Sequence, residues 1–151
     1  MPRYLLDTNL LREILTQGSS LETYHRQYPN EIALSIVSVR EALRGALASI
    51  TDAESPQPKG KSPLSARYAL LNDLLRGIQK LPVHLYSEQA DKLYHNWSPA
   101  IRRIDPNDCR IAASAAVDGL VVLTRNVSDF ERITAHESRV LFTSTPFHED
   151  E

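Results

Sequence analysis

The chain contains 151 residues, of which 42% are hydrophobic and 24% charged, and its formal net charge is -2. This composition fits one compact soluble domain with a core, and it excludes a fibre, a disulfide scaffold and a disordered chain. The single cysteine, Cys109, cannot form an internal disulfide, and no segment resembles a signal peptide or a membrane span. We therefore expect a cytoplasmic protein with no membrane partner.

Hydrophobic periodicity divides the chain into alternating strands and helices. Short apolar runs predict strands, and apolar residues at helical spacing predict helices. The predicted strands are residues 4–6, 32–36, 83–86, 120–123 and 139–143, and the predicted helices begin near Leu10, Leu21, Val39, Leu64, Ser87 and Asp108. Strands that alternate with helices pair mostly in parallel, so the pattern predicts an α/β fold with a sheet of about four or five strands.

Two segments interrupt this pattern in different ways. Residues 51–63 contain three prolines, a glycine and mostly polar residues, which predicts a mobile loop too short to divide domains. Gly119 follows the helix that begins near Asp108, and it is expected to adopt the left-handed conformation that ends many helices.

Acidic residues occur where predicted strands end or the following helices begin. Asp7 follows the first strand, Glu41 lies early in the helix after the second, Asp108 begins a helix and Asp129 follows the fourth strand. Ligands of open parallel sheets bind beyond the carboxyl ends of the strands, so these four side chains are expected to meet. At a separation of about 5 Å and an effective dielectric near 20, each ionised pair costs roughly 3 kcal/mol. Such a cluster needs protons or a cation.

Each acid also has an ordinary structural explanation. Asp7 and Asp108 are suitable helix caps, and the spacings Ser38 to Glu41 and Ser128 to Glu131 match capping boxes. Only the joint placement of the acids favours a site. Oxygen ligands without matching cysteines or histidines favour Mg²⁺ or Mn²⁺ over zinc.

The net charge conceals an uneven distribution of acids. Of the 19 acidic residues, four belong to the predicted site and three, Glu149, Asp150 and Glu151, lie together at the end of the chain. The remaining 12 are outnumbered by 17 lysines and arginines, so the composition is compatible with RNA binding.

Four short motifs occur in a fixed order along the chain. They are YLLDTN at residues 4–9, EALRG at 41–45, DCRIAA at 108–113 and TRNVSDF at 124–130. In these motifs the chain resembles the PIN-domain ribonucleases, and among them the VapC toxins of bacterial and archaeal toxin–antitoxin pairs. The resemblance covers nearly the whole chain and implies a three-layer α/β/α PIN-like fold in a single domain over residues 1–151.

The resemblance also implies roles for individual residues. The catalytic acids would be Asp7, Glu41, Asp108 and Asp129. Asp7 and Asp108 would hold one or two Mg²⁺ or Mn²⁺ ions, and Glu41 or Asp129 would orient the attacking water or its surroundings. The supporting residues would be Thr124 and Asn126, with Asn9 as a further candidate for positioning Asp7. The implied reaction is hydrolysis of RNA that leaves a 5′-phosphate and a 3′-hydroxyl.

Partners follow from the same resemblance. It implies a VapB-like antitoxin, whose tail lies over the early helices, and a homodimer. Arginines that flank the acids in sequence are either phosphate contacts for RNA or ordinary surface residues: Arg12, Arg40, Arg44 and Arg110. Two departures from the family pattern, Ala42 and the long loop at 51–63, concern substrate and partner specificity more than activity.

Three alternatives remain at this level. A haloacid-dehalogenase phosphatase needs an aspartate where this chain has Asn9, and a receiver domain needs a lysine after its last strand, whereas no lysine follows Lys92. A PIN scaffold that binds RNA or protein without cleaving it has the same fold, and only an activity measurement separates it from a nuclease.

Overall fold

A five-stranded parallel sheet organises residues 2–148, the part of the chain that the computed structural model describes. Its strands are β1 (Tyr4–Leu6), β2 (Ile32–Ser35), β3 (Val83–His84), β4 (Val121–Leu123) and β5 (Leu141–Thr143). They lie in the order β3-β2-β1-β4-β5, and every neighbouring pair is parallel. The predicted α/β class and strand number are confirmed, although four of the five strands are shorter than predicted. The acids Glu149, Asp150 and Glu151 lie outside the described residues.

Helices connect the strands and cover both faces of the sheet. They are α1 (Leu11–Ile14), α2 (Ser20–Gln27), α3 (Ile36–Glu54), α4 (Leu64–Ile78), α5 (Glu88–Asn96), α6 (Pro99–Arg102), α7 (Pro106–Asp118) and α8 (Val127–His136). A 3-10 turn over Thr8–Leu10 precedes α1. The sequence pattern did not predict α6, and it indicated α8 only through the capping-box spacing at Ser128. No helix within residues 2–148 is both long and apolar enough to cross a membrane.

The sheet separates two hydrophobic cores, because successive strand residues point to opposite faces. On one face, Leu5 and Val122 pack with side chains of α5, α6, α7 and α8. On the other face, Leu6 and Leu34 pack with side chains of α1, α2 and α4. The resulting α/β/α layering is the predicted one, and it keeps the strands rigid beneath the loops that follow them.

Several helix ends differ from their predicted positions. Ser35 caps α3 by accepting a hydrogen bond from the amide of Val37, so the proposed capping box at Ser38 is wrong. Ser38 instead donates its hydroxyl to the carbonyl oxygen of Leu6 at 3.3 Å. Ser128 lies inside α8, after the N-cap position of Asn126, so the second capping box is also wrong. Gly119 ends α7 with φ of 67°, as predicted.

The proline-rich segment is shorter and better anchored than predicted. Helix α3 continues through Glu54, so only residues 55–63 connect it to α4. The carboxylate of Asp52 accepts the amides of Lys59 and Gly60 at 2.9 and 3.2 Å. Arg67, buried on α4, donates to Asp52 and to two carbonyl oxygens. These bonds hold the connection against the helix pair.

Candidate active site

Asp7 occupies the end of the central strand. Its amide donates to the carbonyl oxygen of Leu123 at 2.9 Å, which continues the pairing of β1 with β4. Its carboxylate accepts the Thr8 amide at 2.7 Å and the Thr124 hydroxyl at 2.8 Å. The side chain therefore caps the following 3-10 turn and is also fixed towards the loop after β4. It is only 2% exposed.

Asn126 joins two further acids at this edge. Its side-chain nitrogen donates to Asp108 on α7 and to Asp129 on α8, in each case at 2.8 Å. The backbone amide of Asn126 donates to the hydroxyl of Thr124 at 2.9 Å, and the same hydroxyl donates to Asp7. One short loop thus orients three carboxylates that lie far apart in the sequence.

The sequence reasoning missed Asp105, which the fold adds to this group. Asp105 caps α7 by accepting the amides of Asn107 and Asp108 at 2.9 and 3.1 Å. One oxygen each from Asp105, Asp108 and Asp129 lie within 4.8 Å of one another. The prediction that Asp108 is the cap is therefore wrong. Pro106 was the available signal, because proline favours the first helical position directly after the cap.

Glu41 reaches the same edge from α3. Its side chain is half-buried, and it accepts the hydroxyl of Thr8 at 3.2 Å. Thr8 and Asn107 are its hydrogen-bonding neighbours, and neither was singled out from the sequence. The four predicted acids are thus brought to one end of the sheet, with Asp105 as a fifth member. We call these five residues the carboxylate cluster.

The carboxylate cluster disfavours its own ionisation. Burial, reinforced by the charges of Asp7 and Asp105, raises the pKa of Asp108 to about 8. Burial also raises the pKa of Asp7 and that of Glu41 above their ordinary values. Without a cation, Asp108 is therefore largely protonated near neutral pH.

The donor set of the carboxylate cluster fits a hard divalent cation. All five side chains offer oxygen, and the histidine and cysteine residues contribute no ligand to the group at Asp105, Asp108 and Asp129. Oxygen-only sites favour Mg²⁺ or Mn²⁺, whose charge would relieve the repulsion between the carboxylates. Cys109 lies beside the cluster but is buried, and its thiol donates to the carbonyl oxygen of Ile101.

The remaining predicted residues have more varied surroundings. Asn9, expected to position Asp7, instead accepts the amide of Arg125 at 3.4 Å, because its exposed side chain faces the loop after β4. Arg110 lies over the ring of Tyr94, with 4.7 Å between its guanidinium carbon and the ring centroid, and it donates to Asn107. The other three arginines have exposed side chains: Arg12, Arg40 and Arg44.

Comparison with known families decides the classification. The family model described as PIN domain matches residues 4–135. The chain belongs to the PIN domain family. PIN domains are generally nucleases, so membership of this family supports a hydrolase, and the family generally uses divalent metals. No curated protein sequence gives a significant match.

Solved structures of toxin–antitoxin proteins share this PIN fold. A chain of VapBC2 from Rickettsia felis, bound to promoter DNA, is 18% identical, with a TM-score of 0.66 over 93% of this chain and 96% of that one. DNA-bound VapBC from Salmonella typhimurium is 22% identical, with a TM-score of 0.66 over 95% of this chain and 98% of that one. VapBC-1 from nontypeable Haemophilus influenzae is 22% identical, with a TM-score of 0.62 over 93% of this chain and 96% of that one. At these identities the likeness concerns the fold.

Proposed function

We propose that this PIN domain is a metal-dependent endoribonuclease and the toxin of a VapBC-type toxin–antitoxin pair. The observation that carries the proposal is the carboxylate cluster at the end of the central strand. A merely structural acid needs one hydrogen-bond partner, whereas this cluster buries several acids together and raises the pKa of Asp108 to about 8. Perturbed acids gathered at one place are typical of catalytic sites.

The proposed ligands are Asp7 and Asp108, with Asp105 and Asp129 beside them. Thr124 and Asn126 would act as positioning residues, since they donate hydrogen bonds that fix three of these carboxylates. A bound Mg²⁺ or Mn²⁺ would lower the pKa of water and stabilise negative charge on a phosphodiester. The protein's own part is to aim the carboxylate oxygens at the position where a cation would displace the proton of Asp108.

Glu41 is the proposed group for orienting the attacking water. It lies at the edge of the cluster, with Thr8 as its hydroxyl donor, and its raised pKa suits a carboxylate that accepts a proton. Asp129 is held more tightly, because Asn126 binds it and Arg132 lies 4.0 Å away. Attack by water on the phosphorus, with the 3′-oxygen as the leaving group, would give products with a 5′-phosphate and a 3′-hydroxyl.

The proposed partners are an RNA substrate, a VapB-like antitoxin and a second copy of this chain. The support for the antitoxin is that the structural neighbours are named as VapBC complexes. Arg12, Arg40 and Arg44 present exposed cations for RNA phosphates, whereas Arg110 is also engaged by Tyr94. Co-expression with the product of a neighbouring reading frame should give a complex and relieve toxicity.

The decisive experiment is RNA cleavage with and without EDTA. Cleavage of single-stranded RNA in Mg²⁺ or Mn²⁺, lost with EDTA and lost in Asp108→Asn, is the expected result. Asp73→Asn is the matched control, because it makes the same chemical change at an exposed position of α4. A protein that binds RNA but does not cleave it in either metal would be an inactive scaffold, and the nuclease proposal would be wrong.

A further inference from the structure

A cavity lies beside the loop after β4, the loop that also carries Thr124 and Asn126. It has a volume of about 190 Å³ and is bounded by α1, α2, the loop after β4 and the segment after β5. Its floor is apolar, with Leu10 and Leu21 almost fully buried. Its rim carries the exposed hydroxyl residues Ser20, Ser144 and Thr145.

The loop after β4 connects this cavity to the carboxylate cluster. Thr124 and Asn126 direct their side chains to the acids, whereas Arg125, between them, lines the cavity. Because adjacent residues are about 3.8 Å apart along the backbone, the loop that fixes the acids also forms one wall of the cavity. Arg125 is the residue of this loop that a ligand in the cavity meets.

The charge balance of the cavity favours a neutral ligand. Arg125 donates to both carboxylate oxygens of Glu13, at 2.7 and 2.8 Å, and Glu13 also lines the cavity. The pair supplies planar polar groups but no net charge, so a phosphate gains little there. A flat molecule with polar edges fits better, because it can lie on the apolar floor and bond to the rim.

The cavity walls are held in place before any ligand binds. Tyr24 lines the cavity, packs edge-on against Tyr4 at 6.3 Å between ring centroids, and donates its hydroxyl to Glu31. The hydroxyl of the buried Tyr4 accepts a hydrogen bond from the backbone amide of Phe147 at 3.0 Å. The same hydroxyl donates to the carbonyl oxygen of Phe147 at 2.7 Å. These bonds fasten the segment that carries Ser144 and Thr145. Preformed walls reduce the entropy lost on binding.

We infer that this cavity binds one nucleobase of the RNA, next to the phosphodiester at the carboxylate cluster. The inference rests on the proposed nuclease function and adds a reason for sequence preference. Single-stranded RNA is recognised through unstacked bases, which stack on aromatic rings or arginine planes and bond at their edges. Tyr24, Arg125 and the rim hydroxyls provide these elements around a space of nucleobase size.

The test fills the cavity without touching the acids. Ser144→Trp and Ser20→Trp each place a large ring at an exposed rim position, and Ser65→Trp on α4 is the control for an added surface ring. We expect wild-type protein to prefer one base beside the cut by about tenfold, the size of a hydrogen-bond contribution from the rim to the edge of the base. Both rim variants should lose that preference, while cleavage of RNA that lacks the base at this position is unchanged.

A binding measurement separates this inference from the nuclease proposal. Fluorescence anisotropy in EDTA compares short single-stranded RNAs with and without the relevant base. Tighter binding of the base-containing RNA, lost in Ser144→Trp and kept in Ser65→Trp, supports the cavity even if no cleavage occurs. A rim variant that keeps the wild-type base preference in both binding and cleavage would overturn the inference and leave the nuclease proposal standing.

Discussion

Two regions of the molecule bury charged side chains with opposite results. At the α3–α4 pair, Arg67 is 5% exposed, and its guanidinium donates to Asp52 and to the carbonyl oxygens of Ser49 and Ser62. At the carboxylate cluster, Asp108 is 6% exposed and has other acids as neighbours. Arg67 holds the pKa of Asp52 down at about 2, whereas burial among acids raises the pKa of Asp108 to about 8.

The difference distinguishes a buried charge that stabilises the fold from buried carboxylates whose neighbours are other acids. The Arg67 group is complete within the chain, since the cation has its anion and its carbonyl acceptors. The carboxylate cluster is incomplete, because its hydrogen-bond donors aim the carboxylates without cancelling their charge. A buried group that is oriented but not neutralised indicates that something from outside completes it.

The largest expected effect is on catalysis. Asp108→Asn should lower RNA cleavage by about 10²–10³-fold or more, because it removes a proposed cation ligand. In the metal-free protein it should raise the thermal midpoint at pH 8, since it removes a buried acid that resists ionisation. Cleavage kinetics and thermal unfolding in EDTA measure the two effects. Full activity in Asp108→Asn would exclude the assigned role, and Asp73→Asn should match wild type in both.

The next effect concerns cation uptake and pH. With a pKa of about 8, Asp108 is mainly protonated at pH 6 in the metal-free protein, and a cation must displace that proton. Mn²⁺ affinity should therefore rise by roughly 50-fold from pH 6 to pH 8, with release of about one proton at pH 6 and about half a proton at pH 8. Calorimetric titration in buffers of different ionisation enthalpy measures both quantities. Equal affinity at the two pH values would contradict the protonation of Asp108 in the metal-free protein.

A smaller effect is expected on stability at the α3–α4 pair. Arg67→Met keeps much of the packing but leaves two carbonyl oxygens without their donor, which costs roughly 2 kcal/mol and lowers the thermal midpoint by about 4–8 °C. Urea unfolding measures the change in the free energy of unfolding, and a thermal melt measures the change in the midpoint. Cation affinity should remain that of wild type, because Arg67 does not contact the carboxylate cluster. An unchanged midpoint would mean that these bonds do not stabilise the fold.

The smallest effect is expected below pH 4. The folded-state pKa of Asp52 lies below its unfolded value of 3.8, so its contribution to stability is present above that value and is lost as pH falls towards about 2. Between pH 4 and pH 2, the Asp52→Asn variant should therefore lose less of its free energy of unfolding than wild type loses. Its cation binding at pH 8 should stay close to that of wild type. Acid unfolding followed by circular dichroism detects the difference.

Much of the fold could be predicted because its signals are local. The alternation of short apolar runs with helical periodicity gave the strand number and the parallel pairing, and Gly119 marked the end of α7. Helix starts were harder to predict, because the hydroxyl of a serine can bind the backbone of another element instead of capping its own helix. Ser38 matched a capping box, yet its hydroxyl bonds to Leu6 across 32 positions of sequence. Such a partner exists only after the sheet has formed.

The candidate site was predictable as a set of acids but not as a network. Parallel strands place their carboxyl ends together, which is why Asp7, Glu41, Asp108 and Asp129 were expected to meet. Asp105 was missed because its sequence signal is that of an ordinary cap, and the proximity of its oxygen to the other acids depends on the orientation of α7. The position of Arg125 opposite the acids is likewise set by the loop conformation.

The pairing of β1 with β4 has a consequence for synthesis of the chain. Asp7 receives its hydroxyl partner from Thr124, which lies 117 positions later. During translation, the first acid emerges long before the segment that orients it. A nascent polypeptide therefore cannot assemble the carboxylate cluster until most of its length has left the ribosome. Under the proposed nuclease function, this delay would keep the growing chain from cleaving the message that encodes it.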